Sequence, residues 1–261
     1  MLETICHKVC ELTSTVGDFV RAESSKINLA LAESKGKNDF VTYVDKASEK
    51  LLVEGLNKLL PEAGFIAEEK TSEIRGKVYN WVIDPLDGTT NYIHGLPFYA
   101  ISIGLLRDNI PVMGVVNELN FKECFYAWEG SKAYCNKTEI RVTETVQLKD
   151  SLIATGFPYS NYEHFDQYMD LLRDLMKKSH GLRRLGSAAT DLAYVACGRF
   201  DAFYEYGLQP WDVAGGSVIV AQAGGKLSDF KAGTDYVFGK EIVSCTPGIY
   251  NEFLHCISEH F

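Results

Sequence analysis

Between Trp81 and Gly95 the chain reads WVIDPLDGTTNYIHG, and no other stretch constrains the fold as tightly. Apolar residues run up to Asp84 as a strand would. Pro85 then fixes φ and removes a ladder donor, so regular pairing must stop there. Asp87 returns three residues after Asp84 and leads into Gly88-Thr89-Thr90. Two carboxylates at this spacing, with the Leu86 carbonyl free in the turn, can converge on hard cations that seek oxygen ligands. Gly88 permits close backbone approach, and the amides of Gly88 and Thr89 could open a helix or a nest aimed at an anion. A plain Asp-Pro-Gly turn followed by a capped helix has the same composition. Spacing alone leaves both readings open.

Acids stand at the ends of three further expected elements. Phe65-Ile66-Ala67-Glu68-Glu69 is an apolar run that stops on two carboxylates, as a strand leaving for solvent also would. In Gln209-Pro210-Trp211-Asp212-Val213-Ala214-Gly215-Gly216, Asp212 reads as the N-cap of a helix ending near Gly224-Gly225, with small residues for tight packing. Asp45 follows the strand-like Phe40 to Val44 and precedes a helix, again as a cap would. Capping explains each acid singly. Acids at the ends of several elements, each beside a small or turn residue, are also what a multi-metal phosphoryl site requires.

The surrounding pattern places these stations. Leu2, Ile5, Val9, Leu12, Val16, Phe19 and Val20 recur at helical steps, and a second helix is expected from about Lys46 to Pro61. Ser34 to Asn38 reads as a loop between them. Short strands then follow at Trp81–Ile83, Tyr99–Leu106, Val112–Glu118, Glu123–Trp128 and Ile140–Val142, with tight connections that imply an antiparallel meander. After about Val146 strands and helices alternate: strand Leu152–Thr155, helix Glu163–Lys178, a helix from Ser187, and strand Asp201–Glu205. A helix from Asp212, strand Lys226–Asp229, a strand through Val243 and a last helix to His260 complete it. The expected organisation is an N-terminal α+β half over 1–145, holding the meander and the main metal site. A C-terminal α/β half over 146–261 follows, with a soft border at 143–150.

Charge and cysteines narrow the class. Net charge is −9 and no Lys/Arg cluster exceeds a pair, so nucleic acid is not an expected partner. The seven cysteines are scattered without a CxxC. Cys6, His7 and Cys10 lack a second ligand pair, so free thiols and a reducing, cytoplasmic compartment are expected. Glu3, Lys8 and Glu11 interrupt the opening apolar stretch, unlike a signal peptide. The uncharged stretch Asn91 to Leu106 contains Asn, His, Gly and Pro and is no membrane span.

In order, VTYVDKASE, FIAEE, WVIDPLDGTTNYIHGLPFYAISIGL and WDVAGGSVIVAQAGG resemble the inositol monophosphatase family of Mg²⁺-dependent, lithium-sensitive phosphatases, across essentially the whole chain. The resemblance implies a layered α-β-α-β-α sandwich, a homodimer and a small phosphorylated polyol as substrate. It also implies roughly two to three Mg²⁺ ions. It assigns Glu68, Asp84 and the Leu86 carbonyl to the first ion, and Asp84, Asp87 and Asp212 to the second. Glu68 would also help hold a third. Thr89, paired with Asp45, would orient or deprotonate the attacking water, with Glu68 beside them in the catalytic set. The backbone of Gly88 and Thr89 would receive the phosphate. Asp87, Gly186, Ser187, Ala188 and Glu205 would contact the alcohol, with Glu205 the main specificity residue.

Three departures stand out: Ala67 where the family commonly has Gly, Ser187 for a common Thr, and Arg183-Arg184 just before the alcohol-contacting stretch. The arginines are either solvated or meet a second phosphate or charged leaving group. Myo-inositol monophosphate is the leading substrate. The same chemistry on a sugar bisphosphate, 3′-phosphoadenosine 5′-phosphate, histidinol phosphate or an inositol lipid headgroup is the alternative. An aspartyl-phosphate mechanism would want Asp-x-Asp, and here the spacing is Asp84-x-x-Asp87. A non-catalytic metal or inositol-phosphate binder on the same fold is the reading from another class.

Overall fold

The computed structural model describes residues 1–27, 33–36, 39–158 and 162–261. Helix α1 spans Leu2–Glu23 and buries Ile5, Val9, Val16 and Val20 on the face its periodicity marks. Strands β1 (Glu33–Gly36) and β2 (Asp39–Val41) pair antiparallel. The expected loop at Ser34–Asn38 is therefore strand up to Gly36, and positions 37–38 lie outside the described residues. Helix α2 covers Tyr43–Leu59, starting before Lys46 because Thr42, not Asp45, is its N-cap.

A seven-stranded sheet follows in chain order. It comprises β3 (Gly64–Ala67), β4 (Tyr79–Asp87), β5 (Ala100–Arg107), β6 (Ile110–Glu118), β7 (Glu123–Trp128), β8 (Ala133–Cys135) and β9 (Thr138–Ile140). The short helix α3 (Thr89–His94) lies between β4 and β5. Every pairing is antiparallel except β3 with β4. The β5–β6 turn is the tight one expected, with Asp108 and Asn109 both at positive φ. Strand β8 and the β8–β9 hairpin went unread because the turn is Asn136-Lys137, also at positive φ, without the glycine that usually marks such a turn.

The second sheet has five strands. They are β10 (Leu152–Thr155), β11 (Gly181–Arg183), β12 (Ala202–Tyr206), β13 (Lys226–Ser228) and β14 (Glu241–Cys245), in spatial order β11-β10-β12-β14-β13. Strand β10 runs parallel to both neighbours and β14 antiparallel to both of its own. Helix α4 (Phe165–Lys178) connects β10 to β11, and α5 (Ala188–Ala196) leads into β12. Helix α6 (Pro210–Gln222) and the last helix α7 (Tyr250–Ser258) complete the fold. Strand β11 carried no readable signal, since Gly-Leu-Arg offers one apolar residue.

These elements stack in five layers. Helices α1 and α2 cover one face of the large sheet around Trp81, Ile83, Ile101 and Ile103. Helices α5 and α6 fill the space between the sheets, and α4 with α7 cover the far face of the small sheet around Tyr168, Tyr204 and Phe253. The α-β-α-β-α order is the one the resemblance implied. Position explains why α6 is apolar all round: Val213 to Val220 are buried without a break, because sheet lies on both sides. Each buried Val or Ile there stabilises by about 1.5–3 kcal/mol. Glycine brings the helix close: a Cβ on Gly114 of β6 would lie 2.0 Å from the Gly215 carbonyl oxygen of α6. All seven cysteines are free, three buried and four half-buried. No helix among the described residues is long and apolar enough to cross a membrane.

Candidate active site

Strand β4 delivers the first two acids. In an unbroken strand, residues three apart point to opposite faces. Here the β4–β5 register shifts between Asp84, opposite Ser102, and Asp87, opposite Ala100. The irregularity at Pro85 brings both carboxylates to one place. Asp84 Oδ1 accepts from the Leu86 amide at 2.9 Å, which holds the turn. Gly88 then takes φ of 89°, and a Cβ there would meet the Phe98 carbonyl oxygen at 2.6 Å, so only glycine fits.

Asp212 arrives from the first turn of α6, but not as its N-cap. Gln209 is the cap, and Pro210 begins the helix because it needs no donor and its φ is already helical. Asp212 is the third helical residue, and its Oδ2 accepts from the Gln209 amide at 2.6 Å. Asp45 corrects in the same way. It is the third residue of α2, and its Oδ2 accepts from the Thr42 amide at 2.8 Å and the Thr42 hydroxyl at 2.5 Å. Its other oxygen, Oδ1, accepts from Thr89 Oγ1 at 2.9 Å. One carboxylate thus locks a helix start and still reaches another element.

Asp84, Asp87 and Asp212 each offer an oxygen within 4.8 Å of the others. Asp87 Oδ2 is anchored by the Ser187 hydroxyl and the Ala189 amide, each at 2.7 Å, at the start of α5. Glu68, just past β3, lines the same cavity. Its segment is held by Glu49 of α2, a fully buried carboxylate that accepts from the Glu69 amide at 2.7 Å and the Thr71 amide at 2.8 Å. Glu49 gave no sequence signal beyond a helical acid. Ala67 lies within extended β3, where a Cβ is ordinary.

The cavity encloses about 320 Å³. Every site residue expected from the sequence lines it except Asp45, which stands behind Thr89. Its far wall carries Glu205 of β12, seated against Gly156, and Arg184, whose Cζ lies 5.4 Å from the centre of the Phe157 ring. Arg183 is exposed, with its Nη1 on the Leu182 carbonyl at 2.8 Å. Asp191 of α5 and Asn91 also line the cavity, and neither was anticipated. Asn91 bridges the two sheets' loops through Nδ2, which donates to Phe98 O at 2.7 Å and Leu185 O at 2.8 Å.

So many acids in one low-dielectric place resist ionisation. Burial and then the charges of Glu68, Asp87 and Asp212 hold the Asp84 carboxyl well above its usual range. Burial, followed by Asp87, does the same to Asp212. Burial lifts Asp87 to about 6 against the hydrogen bonds from Ser187 and Ala189, and lifts Glu205 to about 8 against the charge of Arg184. Asp45 is raised by burial against its own hydrogen bonds. An all-oxygen cluster under mutual repulsion suits a hard divalent cation, which relieves the repulsion when bound. The donor set fits such an ion.

The sequence model of the inositol monophosphatase family matches residues 1–260. A putative Nus factor SuhB of Neisseria meningitidis serogroup B is 38% identical over 245 residues, covering 94% of each chain. The inositol-1-monophosphatase of Mesorhizobium japonicum is 36% identical, covering 93% of this chain and 90% of its own. The crystal structure of the extragenic suppressor protein suhB from Bartonella henselae superimposes with a TM-score of 0.93 at 35% identity, covering 99% of this chain and 100% of that one. With a family match spanning the chain and this layered fold around a carboxylate cluster, the protein belongs to the inositol monophosphatase family.

Proposed function

We propose that the chain is a Mg²⁺-dependent phosphomonoesterase that hydrolyses myo-inositol monophosphate to inositol and phosphate. The observation that carries this reading is the convergence of Asp84, Asp87 and Asp212 within 4.8 Å, beside a Thr89 hydroxyl bonded to Asp45. Glu68, Asp84, the Leu86 carbonyl, Asp87 and Asp212 would hold the ions. The Leu86 oxygen stands 2.9 Å from Thr89 Oγ1 and keeps a lone pair for an ion whichever acceptor takes the Thr89 proton. Bound there, Mg²⁺ supplies positive charge for the phosphoryl oxygens and a lowered pKa for water.

The chain's own groups do the rest. Thr89 has one hydroxyl proton and two acceptors within reach, Asp45 Oδ1 and the Leu86 carbonyl. Thr89 would take a proton from the attacking water as its own hydroxyl proton passes to Asp45 Oδ1, so that the proton ends on the Asp45 carboxylate. The backbone of Gly88 and Thr89 receives the phosphate. The water oxygen forms the new P–O bond as the ester P–O bond breaks, and the departing alcohol oxygen takes a proton from solvent. Glu205, Gly186, Ser187, Ala188 and Asp87 position the alcohol. Inhibition by Li⁺ and a homodimeric state belong to the same proposal.

The test is phosphate release from myo-inositol 1-phosphate with millimolar Mg²⁺, beside fructose 1,6-bisphosphate, 3′-phosphoadenosine 5′-phosphate and histidinol phosphate. A preference for the inositol ester, lost with EDTA, is expected. Turnover of another ester keeps the chemistry and moves the specificity to Arg184 and Glu205. No turnover of any ester overturns the reading. The relative named as a putative Nus factor supports a second reading, a binding role of that kind, alone or beside catalysis. Asp84→Asn separates the two, abolishing turnover while leaving a binding role that needs no metal.

A further inference from the structure

The turn that presents Glu68 has four backbone donors, at positions 68 to 71, and each meets its own acceptor. The Glu68 amide donates to the Ile83 carbonyl at 3.2 Å, one residue before Asp84, and the Lys70 amide donates to the Ala67 carbonyl at 3.3 Å. The Glu69 and Thr71 amides donate to the two oxygens of Glu49, at 2.7 and 2.8 Å, across 20 and 22 positions of chain. Lys70, between them, holds a φ of 57°, a left-handed conformation that a side chain resists. Lys70 and Thr71 are exposed, where water could serve the turn. The chain instead places a carboxylate at 0% exposure behind it. Burying a carboxylate is unfavourable, and what it gains here is a fixed position for the turn.

Glu49 stands four residues after Asp45 on α2, one helical turn along the same face. Asp45 reaches Thr89 and Glu49 reaches the Glu68 turn, so a single helix braces two separate parts of the site. We propose that Glu49 is a positioning residue that sets the Glu68 carboxylate for its ion and, with Asp45, ties that ion to Thr89 through one helix face. This rests on the metal-binding reading of Glu68 above. Only a carboxylate fits the role: glutamine has one carbonyl oxygen, and its NH₂ would face an amide N–H. Groups that orient a metal-binding residue change metal affinity by about 10–100-fold when altered. Glu118 supplies a comparison within the same fold. It too has 0% exposure and accepts from two turn amides, Asn120 at 3.1 Å and Phe121 at 2.6 Å, but no residue of its turn lines the cavity.

Calorimetric Mg²⁺ titration and thermal unfolding in EDTA compare wild type with Glu49→Gln, Glu68→Gln, the double variant and Glu118→Gln. Glu68→Gln should identify the binding step that depends on Glu68, and Glu49→Gln should weaken that same step about 10–100-fold. Other Mg²⁺ binding should stay within about threefold of wild type. In the double variant, Glu49→Gln should add nothing to the loss caused by Glu68→Gln, because it acts through that residue. Glu118→Gln should lower Tm in EDTA, as Glu49→Gln does, and leave Mg²⁺ affinity unchanged. A weakening spread evenly over all steps, a full further loss in the double variant, the same Mg²⁺ response to Glu118→Gln, or an unchanged affinity would overturn the proposal. Should Glu49→Gln not fold, Glu49→Asp, with both oxygens on a shorter arm, is read in the same way. Wild type that binds no Mg²⁺ overturns the metal reading and this proposal together. Mg²⁺ binding without ester turnover removes the phosphatase reading alone.

Discussion

Thr89 Oγ1 and Asp45 Oδ1 lie 2.9 Å apart although 44 positions separate them in the chain. Asp45 is held rigid by its bonds to Thr42 at the start of α2, so Thr89 meets a fixed acceptor. Pre-oriented general-base pairs of this kind contribute about 10²–10⁴-fold to rate. Thr89→Ala and Asp45→Asn should each lower kcat by roughly two orders of magnitude with KM little changed. Thr89→Ser should retain most of the activity. Steady-state kinetics on myo-inositol 1-phosphate check it, and a loss expressed only in KM would place the pair in binding.

Metal binding should stabilise the fold. Asp84, Asp87 and Asp212 repel one another in the ion-free chain, and Mg²⁺ at about a hundredfold over its Kd should raise Tm by about 5–10 °C. Asp84→Asn removes one of the mutually raised carboxyls, so without metal it should unfold at a higher temperature than wild type, and the Mg²⁺ shift should shrink. Thermal unfolding with EDTA and with Mg²⁺ measures both effects. A variant less stable than wild type in EDTA would mean that the cluster is not under repulsion.

Much of this site was legible in sequence, for physical reasons that differ by residue. Asp84, Asp87 and Gly88 announce themselves because a proline and a glycine turn interrupt a strand. Asp45 and Asp212 were visible at helix starts, yet both were read as N-caps. Thr42 and Gln209 take that place, and an acid at the third position closes a capping box just as well. Glu49 and Asp191 were not legible. Each sits in a helix where an acid is ordinary, and only the tertiary fold shows one bonded to a loop and the other turned into a cavity. The five-layer order followed from the resemblance and not from periodicity, since the unbroken buried run Val213 to Val220 of α6 shows no face that says which sheet it meets.

The close approach of β6 to α6 carries a prediction about the site 98 residues along the chain, Gly114 to Asp212. A Cβ on Gly114 would stand 2.0 Å from the Gly215 carbonyl oxygen and 2.8 Å from its carbonyl carbon, both backbone atoms that no rotamer change can move. Gly114→Ala should therefore displace α6 and destabilise the fold by about 1–3 kcal/mol. Because Asp212 rides on that helix, Mg²⁺ affinity should fall along with Tm. Calorimetric Mg²⁺ titration of the folded variant decides it, and an unchanged affinity would show that the helix start is held independently of its packing.

The acids also predict the direction in which stability depends on pH. Asp87 is raised to about 6 and Glu205 to about 8 in the folded chain, both above ordinary carboxyl values near 4. Between the unfolded and folded values the native state binds more protons than the unfolded state, so stability falls as pH rises. Below about pH 4 these groups are protonated in both states and add no pH dependence. From there to about 8 each deprotonates at increasing cost to the native state, and above about 8 the full cost is present. Tm in EDTA should therefore drop steadily from pH 5 to pH 8. Saturating Mg²⁺ should flatten or reverse that slope, because the ion favours the ionised forms it binds. Glu205→Gln should make the EDTA slope between pH 6 and 8 shallower, the remainder coming from Asp84 and Asp212, and leave the Mg²⁺ response in place. Scanning calorimetry across that range is the measurement, and an EDTA slope that rises with pH would contradict the burial cost that raises these carboxyls.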